Sequence, residues 1–453
     1  MQLNKTLFLI VFAVGAVPPA TAQPDSGETA FLEWADMALV PVEVDEVRAW
    51  SEDFDRMLGD ATVVAIGEKG HGVTEPMLFR NSVFRYLVEE HAFTAIAIES
   101  GVVEGRTVHD FVRGGRGEIG DVLAEGINWD FHEFPQNEAL VDWMREYNAS
   151  PSNTRKIDFY GFDIAGWPPA HRSAPRGLRT ALDAVIDYLG TVDSSAAASL
   201  RERLGPFMPS IHVDWTGGGY SGLSQADRDL ITGAITDLVS LIASSEARYT
   251  AAGSAADYEW GYRAAIAARQ ADSLLRQIPV GYARSRSARG AAEYRAFRDG
   301  QDDLRDRFQA DNLEWVVKQQ GPSGKTLVFA SNFHLDANPT RPNGDLRDAA
   351  GTHLRRAFGE RLLTIGNLNG GGEAGCADFY YPMPPPAPGS IGALVGTLDD
   401  RSFSLDLRTA PAPVKSWIER RNPTISAPGD FSFRPGAFDV LFYLHEVTPA
   451  CPR

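Results

Sequence analysis

Short runs of valine, isoleucine, leucine, alanine and phenylalanine recur along this chain at 62–66, 94–98, 156–162, 326–330, 362–365 and 438–444, each ending in polar or glycine-containing sequence. A strand with one wet face alternates apolar and polar residues, whereas these runs are apolar throughout, so they read as strands buried on both faces. Between the first two runs lies a helical pattern in which Met77, Phe84, Leu87 and Val88 share one face and Pro76 suits the first turn. Strand, helix, strand in that order predicts an α/β fold, with a parallel or mixed central sheet flanked by helices.

The texture changes between residues 171 and 300. Alanine, leucine, arginine and aspartate dominate, strand-like runs are few, and Ser224 followed by Asp227 marks a helix start. This region reads as a helical insertion and a lid over a core built from 23–170 and 301–453. The proline run at 382–389 reads as a rigid loop.

Residues 1–22 carry an early Lys5, an apolar stretch from Leu7 to Val17 and the small triplet Ala20, Thr21, Ala22. They read as a cleaved signal peptide, so a periplasmic or secreted location is expected. That stretch is shorter than the roughly 20 residues of a spanning helix, and no membrane span is expected. In an oxidising compartment the two cysteines, Cys376 and Cys451, can form one disulfide, the alternative being two free thiols. A net charge of −17 disfavours nucleic acid as a partner.

The ends of the strand-like runs collect polar residues. Glu68 and His71 follow the first in the segment GEKGHG, Glu99 follows the second, Asp163 the third, and Asn332 and His334 the fourth. Ligands of open α/β sheets bind outside the carboxyl ends of the strands. Each residue also has a plain structural role available: Asp163 and Asn332 suit caps or turns, and His91, His109, His171, His212, His353 and His445 are read as structural, with His132 intermediate. His71 differs, because Gly70 and Gly72 flank it and Glu68 stands within reach to orient its ring. Of the polar residues in GEKGHG, Lys69 is the least chemical. A histidine oriented by a carboxylate can take a proton from water, and a second histidine or an arginine can stabilise the oxyanion that develops. Glu68, His71, Glu99 and His334 also form a set that zinc or manganese accepts, so a metal-dependent hydrolase or peptidase stays open at this point. No GxSxG or HExxH pattern accompanies these residues, and GEKGHG lacks the GK[ST] ending of a P-loop.

The stretch from GEKGHG to the strand ending in Glu99 resembles the erythromycin esterase family, in which GE-x-x-HG and a following glutamate precede a helix and a strand ending in glutamate. Further resemblance lies in 137–148, 159–163, 305–316, 330–334, near 354 and near the end of the chain. The family implies a hydrolase without a serine nucleophile, whose best-known members open macrolactone rings. The resemblance implies that Glu68, His71, Glu99 and His334 are catalytic, with His71 as general base, no metal and no cofactor. It implies supporting or substrate contacts at Glu75, Arg80, Arg106, Glu138, Asp163 and Asn332. Gly70 stands where the family commonly has threonine, and Ser331 where it often has histidine. The expected partner is a small-molecule ester or lactone; a non-catalytic binder of an apolar, porphyrin-like ligand is the third reading.

Overall fold

The computed structural model describes residues 26–166, 177–212, 218–280, 292–341, 344–377, 379–426 and 433–451, the side chains of 292–298 excepted. The signal-like segment 1–22 and His171 lie outside them. Strands are β1 (Leu39–Pro41), β2 (Val63–Glu68), β3 (Ala95–Gly101), β4 (Asp158–Asp163), β5 (Thr326–Ser331), β6 (Leu362–Asn369), β7 (Gly372–Cys376), β8 (Phe379–Met383), β9 (Phe403–Asp406) and β10 (Val440–Leu444). Eight of them form one sheet in the order β1-β9-β10-β6-β2-β5-β3-β4. Neighbours from β10 to β4 run parallel, while β9 is antiparallel to β10 and β1 to β9, so the sheet is mixed.

Period-two alternation divides the strand side chains between two cores. Val63, Ala65, Ala95, Ala97 and Val328 join the helices that carry Leu178, Leu182, Ala265 and Leu274. Val64, Ile66, Ile96, Ile98, Leu327 and Phe329 join helices carrying Met77, Phe84, Leu140 and Met144 on the opposite face. Each fully buried branched or aromatic side chain of this kind contributes about 1.5–3 kcal/mol. Between 177 and 276 the described residues form helices and connecting turns, with no strand among them, and Ser224 caps Gln225–Ser244 by accepting the Asp227 N–H at 3.2 Å.

Several strands extend further than their apolar runs. β2 continues through Glu68, β3 through Glu99 to Gly101 and β4 to Asp163, because parallel pairing continues past the last apolar residue. The acids therefore sit on strand ends rather than in loops. β3 carries an extra residue between its pairings Ile98 with Gly161 and Gly101 with Asp163. A bulge of this kind bends the strand and re-aims its side chains, here at Glu99.

The edge strand β1, its neighbour β9 and the separate β7–β8 hairpin have no counterpart in the sequence reading. β1 has three residues and β9 four, β7 is GEAGC and β8 is FYYPM, too short or too rich in glycine and proline for an apolar run. The first two residues of the proline run thus belong to β8, and the rest of it leaves the hairpin without regular structure. Cys376 and Cys451 are joined by a disulfide. No single helix among the described residues is long and apolar enough to cross a membrane.

Candidate active site

After β5 the chain leaves for β6 on the far side of β2, so the direction of winding reverses around β2 and β5. Crevices at such reversals hold ligands in open α/β sheets. Here the crevice receives Glu68 and His71 from the end of β2, Glu99 from β3, Asp163 from β4 and His334 just beyond β5.

Glu68 Oε1 lies 2.7 Å from His71 Nδ1. A carboxylate only accepts, so Nδ1 carries the proton and Nε2 is left as the basic nitrogen. Burial pushes the imidazolium down, but the bond to Glu68 and the charges of Glu68 and Glu99 outweigh it, and the His71 pKa stands above its ordinary value. The other Glu68 oxygen is buried without a hydrogen-bond partner among the described residues, leaving one acceptor unspent. His71 keeps 35 % of its side-chain surface accessible, while Glu68 keeps 5 %. The imidazole is thus the part of this dyad that a substrate can reach.

Behind it stands a buried charge network. Arg305 donates to Glu99 Oε1 at 2.9 Å and to both oxygens of Asp163, at 3.0 and 2.5 Å. His334 Nδ1 bonds Asp306, whose second oxygen takes Arg347. His334 Nε2 lies 3.2 Å from Glu99 Oε1. Arg305 Nη1 is 3.1 Å from the same nitrogen, but it too is a donor, so Glu99 takes the His334 proton. Burial opposes charge on His334, yet Asp306 and Glu99 outweigh it and push its pKa up to about 9. Burial alone would raise the Glu99 carboxyl, but His334, Arg305 and His71 together hold it far below the ordinary carboxylate range. The network joins one imidazole, two guanidinium groups and three carboxyl groups, so its members can satisfy one another's charge.

An aromatic wall closes the same side. Phe131 and Trp129 stand 5.0 and 6.3 Å from the His71 ring, and the Arg305 guanidinium lies 5.1 Å from the Trp129 ring centre. Trp129 and Asp130 adopt left-handed backbone conformations, φ 67° and 62°, that cost non-glycine residues of order 1–3 kcal/mol each. Asn128 holds this turn against β3, accepting from Ser100 Oγ at 3.0 Å and from the Gly101 N–H at 3.1 Å.

The other residues singled out from sequence fall elsewhere. Arg80 is buried behind Glu68, bonded to Asn81 and the Gln136 carbonyl with its guanidinium over Phe329, and burial pulls its pKa down to about 9. Asn332 spends its amide on the backbone of Asn367, fastening the ends of β5 and β6. Glu75 accepts from the Thr448 N–H and hydroxyl, at 2.9 and 2.6 Å. Arg106 pairs with Asp257 at 3.1 Å on helix Ala255–Arg276. Glu138 is exposed in the first turn of Pro135–Ala149, where an acid favours the helix start.

Residues not singled out include Arg305, Asp306, Arg347, Trp129 and Phe131. A legible signal did exist for one group: Arg305, Gln309 and Asn312 recur at intervals of four and three, so they share one helix face. In the structure that face is buried and turned to β4, with Gln309 on Asp163 and Asn312 on the Phe162 carbonyl.

A family model described as erythromycin esterase matches residues 88–447. The chain belongs to the erythromycin esterase family. The matched span contains Glu99, Asp163, Arg305, Asp306 and His334 and begins after the GEKGHG segment. An Escherichia coli erythromycin esterase type II is 25 % identical over 350 residues, covering 74 % of this chain and 76 % of that protein. A type I erythromycin esterase of the same organism is 29 % identical over 109 residues, covering 23 % of this chain and 24 % of its own. Two solved structures, a Bacillus cereus protein and a succinoglycan biosynthesis protein, each superpose with TM-score 0.72 at 20 % identity, covering 93 % and 94 % of this chain and 98 % and 99 % of theirs. A mutant erythromycin esterase, EreC, in its open conformation superposes with TM-score 0.65 at 17 % identity, over 89 % of this chain and 95 % of its own. The sheet flanked by helices is therefore the fold of erythromycin esterases.

Proposed function

We propose that this erythromycin esterase family member hydrolyses an ester or macrolactone with water activated by His71. The observation that carries the reading is the Glu68–His71 pair, whose accessible imidazole fronts a buried, charge-balanced network. His71 Nε2 takes a proton from water as the oxygen attacks the carbonyl carbon; Glu68 holds the ring and offsets the imidazolium charge that forms. The cationic side of the network, with His334 and Arg305 at its centre, supplies positive potential where the carbonyl oxygen becomes negative. When the tetrahedral species collapses, the His71 proton passes to the departing alkoxide, giving acid and alcohol.

The donor set fits a metal poorly. Both nitrogens of His334 are spent on Asp306 and Glu99, and Nδ1 of His71 on Glu68. Among the described residues no three histidine, cysteine, aspartate or glutamate side chains form a metal-holding group.

The helical region 171–300 is proposed as the substrate-side lid over the core 23–170 and 301–453. It is supported by the Arg106–Asp257 ion pair and the shared core that join these helices to the sheet. An exported location is proposed from the signal-like residues 1–22, and the Cys376–Cys451 disulfide supports it, since such bonds persist in oxidising compartments.

Incubation with macrolides, other lactones and simple esters, followed by mass spectrometry, tests the reading. Addition of one water to an intact ring marks lactone opening, and the His71→Ala protein should show none. Turnover surviving in that variant removes His71 as the base.

A further inference from the structure

The His71 loop is gripped from a side that the catalytic network does not occupy. The Tyr381 hydroxyl on β8 donates to the His71 carbonyl at 2.7 Å. The Gly72 carbonyl accepts from both the Gly375 N–H on β7, at 2.8 Å, and the Ala450 N–H, at 2.9 Å. Val73 bridges Pro449, and the Thr74 N–H donates to the Thr448 carbonyl at 2.9 Å. The loop is thereby held by both the β7–β8 hairpin and the 448–451 tail. Hairpin and tail are covalently joined at Cys376–Cys451, a closure spanning 75 residues.

The fit extends to the glycines. Gly72 has φ +77°, and a β-carbon there would stand 3.2 Å from the Gly375 nitrogen. A β-carbon on Gly70 would meet Met383 Cε at 3.1 Å and the Tyr381 hydroxyl at 3.5 Å. Loop, hairpin and tail are thus shaped to one another at backbone distance. Both cysteine sulfurs also lie against the Glu133 carbonyl, in the short helix that presents Phe131 to the His71 ring. The aromatic wall is therefore tied to the same fastening.

A two-stranded hairpin is marginally stable by itself. Here its sheet has no third strand, only a parallel bridge from Gly372 to Val447. Its hold on the loop consequently depends on the chain end that anchors it, through the Glu373 N–H to the Val447 carbonyl at 3.1 Å, the Val447 N–H to the Gly371 carbonyl at 3.0 Å and the disulfide, which is the covalent part of that anchor. We propose that Tyr381, on a hairpin fastened by the Cys376–Cys451 disulfide, is a positioning residue that fixes His71 against Glu68 for catalysis. The proposal rests on the reading of His71 as the base. It makes the disulfide a requirement for rate as well as for stability, so a reduced enzyme is slow while still folded.

The experiment compares wild type, Tyr381→Phe, the double variant Cys376→Ser/Cys451→Ser and His71→Ala. Erythromycin A and p-nitrophenyl acetate serve as hydrolysis probes, and proton NMR follows the His71 Nδ1–H resonance, assigned by its loss in His71→Ala. Tyr381→Phe keeps the ring and removes one hydrogen bond, so it folds. Both positioning variants should lower kcat about tenfold with KM changed less than twofold, inside the roughly 10²-fold that a 1 Å misplacement costs. Their Nδ1–H signal should broaden or exchange faster. Combined, they should lose less than the product of their separate losses, because they act on one unit. An Nδ1–H signal and a kcat unchanged in both variants overturn the proposal, as does a rise in KM alone, which would make Tyr381 a substrate contact. The NMR signal needs no substrate, so it distinguishes this failure from that of the hydrolytic reading, which appears instead as activity in His71→Ala.

Discussion

Nδ1 of His71 lies 2.7 Å from Oε1 of Glu68, three residues earlier in the chain, and this short local bond sets both the tautomer and the basicity of the imidazole. Burial lowers the His71 pKa and Glu68 raises it, with the net result above the ordinary histidine value. Replacing Glu68 by glutamine leaves the burial and removes the charge. The acidic limb of the kcat/KM profile, which reports protonation of the base, should move to lower pH. The plateau should fall about 10²–10⁴-fold, the usual contribution of oriented general-base catalysis. An acidic limb that stays in place would separate the observed base from His71.

His334 makes a stability prediction with a definite sign. Its folded pKa is raised to about 9 from an ordinary 6.5. A group raised on folding contributes stability that is complete below its unfolded pKa and is lost as pH climbs through the folded one. The melting temperature should therefore fall between about pH 6.5 and pH 9, by an amount equivalent to roughly 3 kcal/mol. In His334→Gln that slope should largely vanish. Thermal melts at half-unit steps of pH decide it, and an unchanged slope in the variant assigns the effect to another group.

Arg305 joins Glu99 to Asp163, and its removal takes the guanidinium from the buried Asp163 and leaves Glu99 with His334. Breaking a buried pair by deleting one partner costs about 3–5 kcal/mol. Arg305→Met should show a loss of that size in urea denaturation. Arg305→Lys should recover only part, since an ammonium cannot reproduce the fork that spans both acids. Full recovery by lysine would mean that charge alone, without the planar geometry, holds the network.

The resemblance of GEKGHG to the family's first motif implies threonine at the position of Gly70. The first obstacle to a β-carbon there is the terminal methyl of Met383, at 3.1 Å, and Met383 is flexible. Gly70→Thr should therefore fold with a stability loss of about 1 kcal/mol or less, within the range of an ordinary substitution. Met383→Ala in the same chain should relieve that loss. A much larger loss, unrelieved by Met383→Ala, would place the conflict in the backbone rather than in the thioether.

Local patterns determined the scaffold and part of the candidate site. The apolar runs became β2 to β6 and β10 because buried parallel strands leave no wet face to interrupt them. Glu68 and His71 were legible because the groups that meet are three residues apart on one turn of chain. Tertiary structure alone decided the rest. Arg305 and Glu99 are 206 residues apart, and Tyr381 and His71 310 apart. No periodicity links such pairs, because their partnership comes from the order in which strands are laid into the sheet. The bulge that re-aims Glu99, the left-handed turn that presents Trp129 and the hairpin clamped on the His71 loop belong to the same class. They are set by long-range packing and by a covalent bond between Cys376 and Cys451, and only the folded chain brings those atoms together.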